Sequence, residues 1–385
     1  MNESENLVPK RRFKEFTNTG TWEQRKLGSI YQFQYGHFNN NPDNGGIYPI
    51  YGANGIIGGY HGFNAENSVV IGHMGAYAGH VLWVEGKHFV TYNGTIGFPK
   101  DLNFDRKFGF HMLQHINIPK ITAGSGQPFV SYSDLENIKL YISDSIDEQN
   151  KLGYFFDMLE NTIALHQRQL ENYSQLKNAM IQKIFNKELR FKNENGNDYS
   201  DWEKKRLGEI LAEVVRKSTK QDQHVILSST NKGLFLQSEY FISNIASADN
   251  IGYKIMRKSE IVFSPQNLWM GNINYNDKYE IGLVSPSYKI FAISEEVIPK
   301  FMKFMIKTPY LMNEYLLSSE QGASVVRRNL DMDLFNKILV EIPSLPEQHQ
   351  IASFLAALDC NIDQLTRKIE LVKDKKKGLL QLMFI

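Results

Sequence analysis

A chain of 385 residues, 42% of them hydrophobic and 22% charged, has the size and make-up of a globular protein of two or three domains with real cores. The formal net charge of +1 excludes a generally polycationic nucleic-acid binder, so any DNA-binding surface must come from uneven charge distribution. One cysteine, Cys360, excludes an internal disulfide framework and a clustered thiolate metal site.

No apolar run is long enough to span a membrane, and the polar N-terminus does not read as a signal peptide, so a cytoplasmic protein is expected. The first feature along the chain is basic: from Lys10 to Lys26 six basic residues stand against two acidic ones, around Trp22. From there to Ile142 the segment is rich in Gly, Asn, Tyr and His. Short strands are predicted at 48–51, 68–71, 80–84 and 88–91, between glycine turns, with a helix over 105–116. A polar turn, Gly124-Ser125-Gly126-Gln127-Pro128, closes the segment.

A helix of about forty residues follows, from Ser145 to Phe185. Steps of four and three trace an apolar seam through Leu152, Phe156, Leu159, Ile163, His166, Leu170, Tyr173, Lys177, Met180 and Ile184. Ser145 and Glu148 predict a capping box, and Asn186-Lys187-Glu188 predicts the stop. Such a helix is about 60 Å long at 1.5 Å per residue and needs a partner.

The chain then starts again. Trp22-Glu23-Gln24-Arg25-Lys26-Leu27-Gly28 recurs as Trp202-Glu203-Lys204-Lys205-Arg206-Leu207-Gly208, and Arg12-Phe13 recurs as Arg190-Phe191. A second basic patch spans 203–220, with six basic against three acidic residues. Strands are predicted near 260–263, 281–284 and 288–291, a helical run over 298–317, and a polar turn at Gln321-Gly322-Ala323-Ser324. The second long helix repeats the first at an offset of 199 without a gap, through Ile351, Leu355, Leu358, Ile362, Leu365, Ile369, Val372, Lys376, Leu379 and Met383. Ser344 and Glu347 repeat the capping box. The chain is therefore a tandem duplication of a globular segment and a long helix. Because the termini of compact domains tend to lie close together, the two helices are expected to pair antiparallel, with a globular domain at each end and an approximate two-fold axis.

Catalytic patterns are missing. There is no GxGxxG after a strand, no P-loop, and no Asn-Pro-Pro-aromatic or Asp-Pro-Pro-aromatic box of an amino-methylating enzyme. His61, His73, His80 and His88 fit no metal spacing, so neither catalytic residues nor metal ligands are expected. Lys177 and Lys376 interrupt the two seams at equivalent positions, where a lysine tunes register or touches a partner.

The duplicated Trp-Glu-x-basic-basic-Leu-Gly openings at Trp22 and Trp202, the Ser-x-x-Glu-Gln motifs at Ser145 and Ser344, and the helix ends at 176–185 and 376–384 resemble the specificity subunit of type I restriction–modification systems. The resemblance covers essentially the whole chain and departs at Asn178-Ala179, where Lys-Gly is typical. It implies an α+β fold: two mixed, mostly β target recognition domains separated by a pair of long antiparallel coiled-coil helices, with internal pseudo-two-fold symmetry. The domains would be target recognition domain 1 at 1–143, the first spacer helix at 144–190, target recognition domain 2 at 191–343 and the second spacer helix at 344–385. It also implies a DNA-binding subunit without activity of its own, each domain reading one half of a bipartite asymmetric site on double-stranded DNA. The implied partners are two methyltransferase (modification) subunits and two restriction (endonuclease/translocase) subunits. S-adenosylmethionine, ATP and magnesium would belong to those partners, with no cofactor on this chain.

A spacer of at most about 60 Å allows one to two duplex turns between half-sites, at about 34–36 Å per turn. Base edges are read by side chains that fork or hydrogen-bond in the groove. That chemistry nominates Ser125 and Gln127 in the first domain, Arg327, Arg328 and Asn329 in the second, and then Asn39, Asn40, Asn41, Gln266 and Asn267 from loops. Arg25, Lys26, Lys205 and Arg206 are nominated for phosphate contacts. Two other readings fit part of the pattern: a self-contained DNA methyltransferase, which lacks its box, and a coiled-coil structural or interaction protein, which needs only one long helix.

Overall fold

A computed structural model describes residues 7–37, 45–121, 128–240, 249–324 and 327–385. The chain divides into two compact units. One comprises Met1–Arg168 with Leu365–Ile385; the other is Gln169–Gln364.

In the first unit the strands are β1 (Glu23–Lys26), β2 (Tyr31–Tyr35), β3 (Tyr48–Gly52), β4 (Gly55–Tyr60), β5 (Ala65–Gly72), β6 (Val81–Val90), β7 (Gly94–Pro99) and β8 (Lys139–Ile142). Six of them form one sheet in the order β2-β7-β5-β6-β3-β4, while β1 and β8 pair as a separate antiparallel ribbon. The helices are α1 (Leu27–Ile30), α2 (Arg106–Ile116), α3 (Tyr132–Asn137) and the long α4 (Ile146–Phe185), which continues into the second unit. The two strands expected at 80–84 and 88–91 are one ten-residue strand, β6. Gly86 sits at φ +71 within it and shifts the register against β5, which the sequence displays as a turn. Asp105 caps α2 by accepting from Phe108 N.

The second unit repeats this plan with β9 (Glu203–Arg206), β10 (Leu211–Glu213), β11 (Leu227–Thr230), β12 (Gly233–Leu236), β13 (Lys254–Arg257), β14 (Ile261–Phe263), β15 (Ile273–Tyr275), β16 (Ile281–Val284), β17 (Lys289–Ile293), β18 (Ser319–Ser324), β19 (Arg327–Leu330) and β20 (Leu339–Ile342). Its sheet order β10-β17-β14-β15 matches β2-β7-β5-β6, and its ribbon β9-β20 matches β1-β8. The helices are α5 (Leu207–Ile210), α6 (Gln237–Tyr240), α7 (Pro299–Met305), α8 (Pro309–Leu317), α9 (Met332–Lys337) and the long α10 (Leu345–Met383). The helical run expected over 298–317 is thus two helices. Pro309 cannot extend α7, and Thr308 instead caps α8 by accepting from Leu311 N. The turn expected at 321–324 is part of β18, in a hairpin with β19.

The repeated Leu-Gly motif has a packing cause. A Cβ on Gly28 would lie 2.8 Å from Glu136 Cβ, and one on Gly208 would lie 2.9 Å from Asn336 Cβ. The backbone of α1 therefore lies directly on α3, and that of α5 directly on α9.

Each long helix is buried against globular cores as well as against the other helix. In the first unit Leu152, Phe156, Met383 and Phe384 share one apolar cluster with Trp22, Leu27 and Phe108. In the second, Ile184, Ile351, Leu355 and Leu358 share another with Trp202, Leu207 and Phe301. Helix α4 ends in a Schellman turn: Glu188 N donates to Lys183 O and Lys187 N to Ile184 O, with Lys187 at φ +62 in the left-handed position usually given to glycine.

Candidate nucleic-acid interface

The nominated phosphate-contacting residues lie on and beside the two ribbons, and the structure gives most of them partners. Arg25 on β1 donates to Glu23 Oε2 and Asp144 Oδ1, both at 3.1 Å, with its side chain about half exposed. Its hydrogen bond is the main cause that holds the Glu23 carboxyl below the usual range. Lys26 Nζ reaches Asn137 Oδ1 at 3.2 Å. Lys205 on β9 pairs with Glu296 at 3.0 Å, which raises its pKa, and lies 3.7 Å from Glu203. Arg206 N donates to Glu209 Oε2 at 2.8 Å at the start of α5, while its side chain stays exposed. An ion pair of this kind must loosen before either cation turns to a phosphate.

The base-reading candidates of the second unit gather at one place. Strand β19 carries Arg327, Arg328 and Asn329, and the loop after β14 carries Gln266 and Asn267. Arg328 N donates to Gln266 O at 3.1 Å, which ties hairpin to loop. Alternation along β19 leaves Arg327 and Asn329 exposed and turns Arg328 inward, where Nη2 donates to Ser319 O at 2.6 Å and the guanidinium lies 6.0 Å from the Trp269 ring centroid. Arg328 Nε is buried without a hydrogen-bond partner. Gln266 is exposed; the Asn267 carbonyl accepts from Met270 N and Asn272 N and shapes the loop. Asn39, Asn40, Asn41, Ser125 and Gln127 lie outside the described residues.

Along the helices, the seam residues Leu152, Phe156, Ile163, Ile351, Leu355, Leu358 and Ile369 are buried, and Leu159, Leu170 and Ile362 are partly buried. The seam lysines each meet an acid from the other helix. Lys376 pairs with Glu160 in the first unit, and Lys177 pairs with Asp359 at 2.5 Å in the second. The offset of 199 relates lysine to lysine and acid to acid. In each unit the two helix portions run antiparallel.

The capping-box expectation needs correction. Glu148 N does donate to Ser145 Oγ at 3.3 Å, but the Glu148 carboxylate does not return to the cap. It takes a bidentate guanidinium, Arg12 Nε to Oε1 at 2.5 Å and Nη2 to Oε2 at 2.7 Å, together with Trp22 Nε1 at 3.2 Å. Glu347 does the same with Arg190, at 3.1 and 2.7 Å, and with Trp202 Nε1 at 3.2 Å, and Ser344 Oγ is left buried without a partner. A buried carboxylate is stabilised far more by a planar cation and an indole N–H than by one amide. The adjacent glutamines finish the joint. Gln149 Oε1 accepts from Asp105 N at 3.1 Å, and Gln348 Oε1 accepts from Ile298 N at 2.7 Å, so each long helix holds the start of a globular-domain helix. The paired Arg-Phe echoes were the signal for this network, since Arg12 and Arg190 precede their tryptophans by ten and twelve residues.

Among the described residues no group of three or more His, Cys, Asp or Glu side chains could hold a metal ion, and no helix is long and apolar enough to cross a membrane.

The profile of the type I restriction modification DNA specificity domain matches this chain twice, over residues 19–173 and 199–374. Among curated proteins the chain is similar to the type I restriction enzyme EcoprrI specificity subunit of Escherichia coli, 31% identical over 127 residues, 31% of this chain and 30% of that one. It is also similar to the type I restriction enzyme MjaVIII specificity subunit of Methanocaldococcus jannaschii, 26% identical over 207 residues, 52% of this chain and 46% of that one. The matched stretches span less than half the length of these relatives. In fold, the chain resembles the crystal structure of a type I restriction–modification S subunit from M. genitalium, with a TM-score of 0.67 at 17% identity over 98% of this chain and 99% of that one. It also resembles a chain from a structure concerned with complex assembly and conformational transition of the type I R-M system, with a TM-score of 0.52 at 12% identity over 93% and 96%. Two profile matches that together take in most of the sequence, one in each repeat, place this chain in the type I restriction–modification DNA specificity family.

Proposed function

We propose that the chain is the sequence-specific DNA-binding subunit of a type I restriction–modification complex, without catalytic activity of its own. The observation that carries the reading is the presence of two DNA specificity domains in one chain. The repeats share the long helices, the ribbons and a four-strand sheet order, and differ in their remaining strands, short helices and loops, as two readers of different half-sites require. Residues 1–143 and 191–343 serve as recognition domains, and 144–190 and 344–385 as the spacer that sets the permitted gap. Gln266, Arg327 and Asn329 read bases in the second domain, with Arg328 and Asn267 holding the hairpin and loop that present them; Ser125, Gln127, Asn39, Asn40 and Asn41 read bases in the first. Arg25, Lys26, Lys205 and Arg206 contact phosphates. The partners are two methyltransferase and two restriction subunits, which carry S-adenosylmethionine, ATP and magnesium chemistry in the cytoplasm.

The test is co-expression with the neighbouring methyltransferase and genome-wide mapping of methylated adenine. A split motif is expected, and exchanging residues 1–143 for those of a relative should change one half-site alone. Uniform or absent methylation, or a change in both half-sites, would refute the reading.

A further inference from the structure

The second unit holds a cavity of about 690 Å³ that none of the residues nominated for DNA contact lines. Lysines reach it from four places: Lys177 on α4, Lys232 in the β11–β12 turn, Lys278 after β15, and Lys303 and Lys307 on and beyond α7. These five face three aspartates, Asp277, Asp359 and Asp363. Asp359 bridges Lys177 and Lys303 at 2.5 and 3.0 Å, and Asp277 takes Lys303 at 2.9 Å. Lys307 is held differently. Its Nζ donates to Asn274 Oδ1 at 2.9 Å and to Asn231 O at 3.3 Å, both neutral acceptors. Asn274 is oriented from behind, its Nδ2 donating to Ser229 Oγ and Thr230 O, each at 2.8 Å. Among the described residues no carboxylate lies within ion-pair distance of Lys232, Lys278 or Lys307. Although Lys307 keeps an exposed side chain, desolvation by the protein packed around its ammonium, and then the charge of Lys177, push its pKa below the ordinary value, a cost that an added anion would reverse.

We propose that this cavity takes a phosphodiester group of the DNA backbone, held by Lys307 with Lys232 and Lys278. The inference rests on the DNA-recognition reading above. The three lysines line one cavity from separate elements without carboxylate partners, which suits a multiply accepting oxyanion, and a lysine serves phosphate as a point charge. Arg25, Lys26 and Lys205 on the ribbons, by contrast, already have acidic or amide partners.

The experiment measures duplex affinity of the full chain by fluorescence anisotropy from 50 to 300 mM salt, with a duplex carrying the mapped methylation motif. Lys307→Gln should make the fall of log K with log salt shallower by about 0.9 and weaken binding about eight-fold at 0.1 M salt. Asp363→Asn should tighten binding, and Lys300→Gln, an exposed lysine outside the cavity, should leave the slope unchanged. An unchanged slope in Lys307→Gln, or an equal loss in Lys300→Gln, overturns the proposal while leaving DNA recognition intact. Wild-type chain that binds no duplex overturns both. If Lys307→Gln does not fold, Asp363→Asn decides, and no tightening counts against the cavity. A thermal shift with tripolyphosphate that Lys307→Gln abolishes, beside an unchanged DNA slope, would assign the cavity to a free phosphorylated ligand instead.

Discussion

Lys177 Nζ lies 2.5 Å from Asp359 Oδ1, a contact between two long helices whose side chains are 26% and 21% exposed. Asp359 also takes Lys303 at 3.0 Å, and its two lysines hold the carboxyl below its usual range against the opposing effect of burial. A lysine that breaks an apolar seam is tolerated here because its partner sits on the facing helix at a fixed register. One residue of slip would separate the charges by a helical step. Asp359→Asn should therefore destabilise the fold by about 1–3 kcal/mol, and Asp277→Asn, which leaves Lys303 its Asp359 contact, by less. Urea denaturation of both variants checks the order, and an equal effect would remove the register argument.

The buried carboxylates Glu347 and Glu148 should be far less forgiving. Glu347 is fully buried with Arg190 and Trp202 on it, so Glu347→Gln leaves the Arg190 guanidinium with only the exposed Asp201, 3.8 Å away, as a counter-charge. Breaking such a pair costs about 3–5 kcal/mol. Denaturation followed by tryptophan fluorescence would register it, and a loss below about 1 kcal/mol would mean that water replaces the pair.

Gly28 and Gly208 should resist even alanine. The added methyl would meet a Cβ on the facing short helix at 2.8 or 2.9 Å, and the backbone must shift to relieve it. Overpacking of this kind costs about 1–3 kcal/mol. Gly20→Ala, with no heavy atom within 4 Å of the new Cβ, is the control and should stay within about 0.5 kcal/mol in thermal melts.

His111 predicts a pH dependence. Burial first, then the charge of Lys376, lower its pKa to about 4 from an ordinary 6.5, although Gln114, Glu160 and Asp157 act the other way. In the window between those values the unfolded chain binds more protons than the folded one, so stability rises with pH. The contribution is complete above about pH 6.5 and is lost as pH falls toward 4. His111→Phe should flatten that limb of a melting-temperature profile between pH 7 and 4.5, and an unchanged limb would place the titration elsewhere.

Asn329 and Gln266 offer a test of base reading. Each stands exposed where β19 meets the loop after β14. Alanine at a true base contact should cost about 1–3 kcal/mol at one position of one half-site. An equal loss on all duplexes would make them backbone contacts.

Two kinds of information separate in this molecule. The sequence alone determined the duplication, the two long helices and their starts and stops, and the outline of most strands, because periodicity, turn residues and capping act within a few residues of the chain. It could not show that Gly86 lies inside a strand or that Pro309 divides a helical run where a new cap takes over. Only the tertiary structure decided the partners of charged groups: Glu148 with Arg12, Lys376 with Glu160, Lys307 with Asn274. Those pairs span 136, 216 and 33 residues of sequence. Coulombic and hydrogen-bonding choices are made by whichever groups the packing brings within about 3 Å, and no local pattern records them.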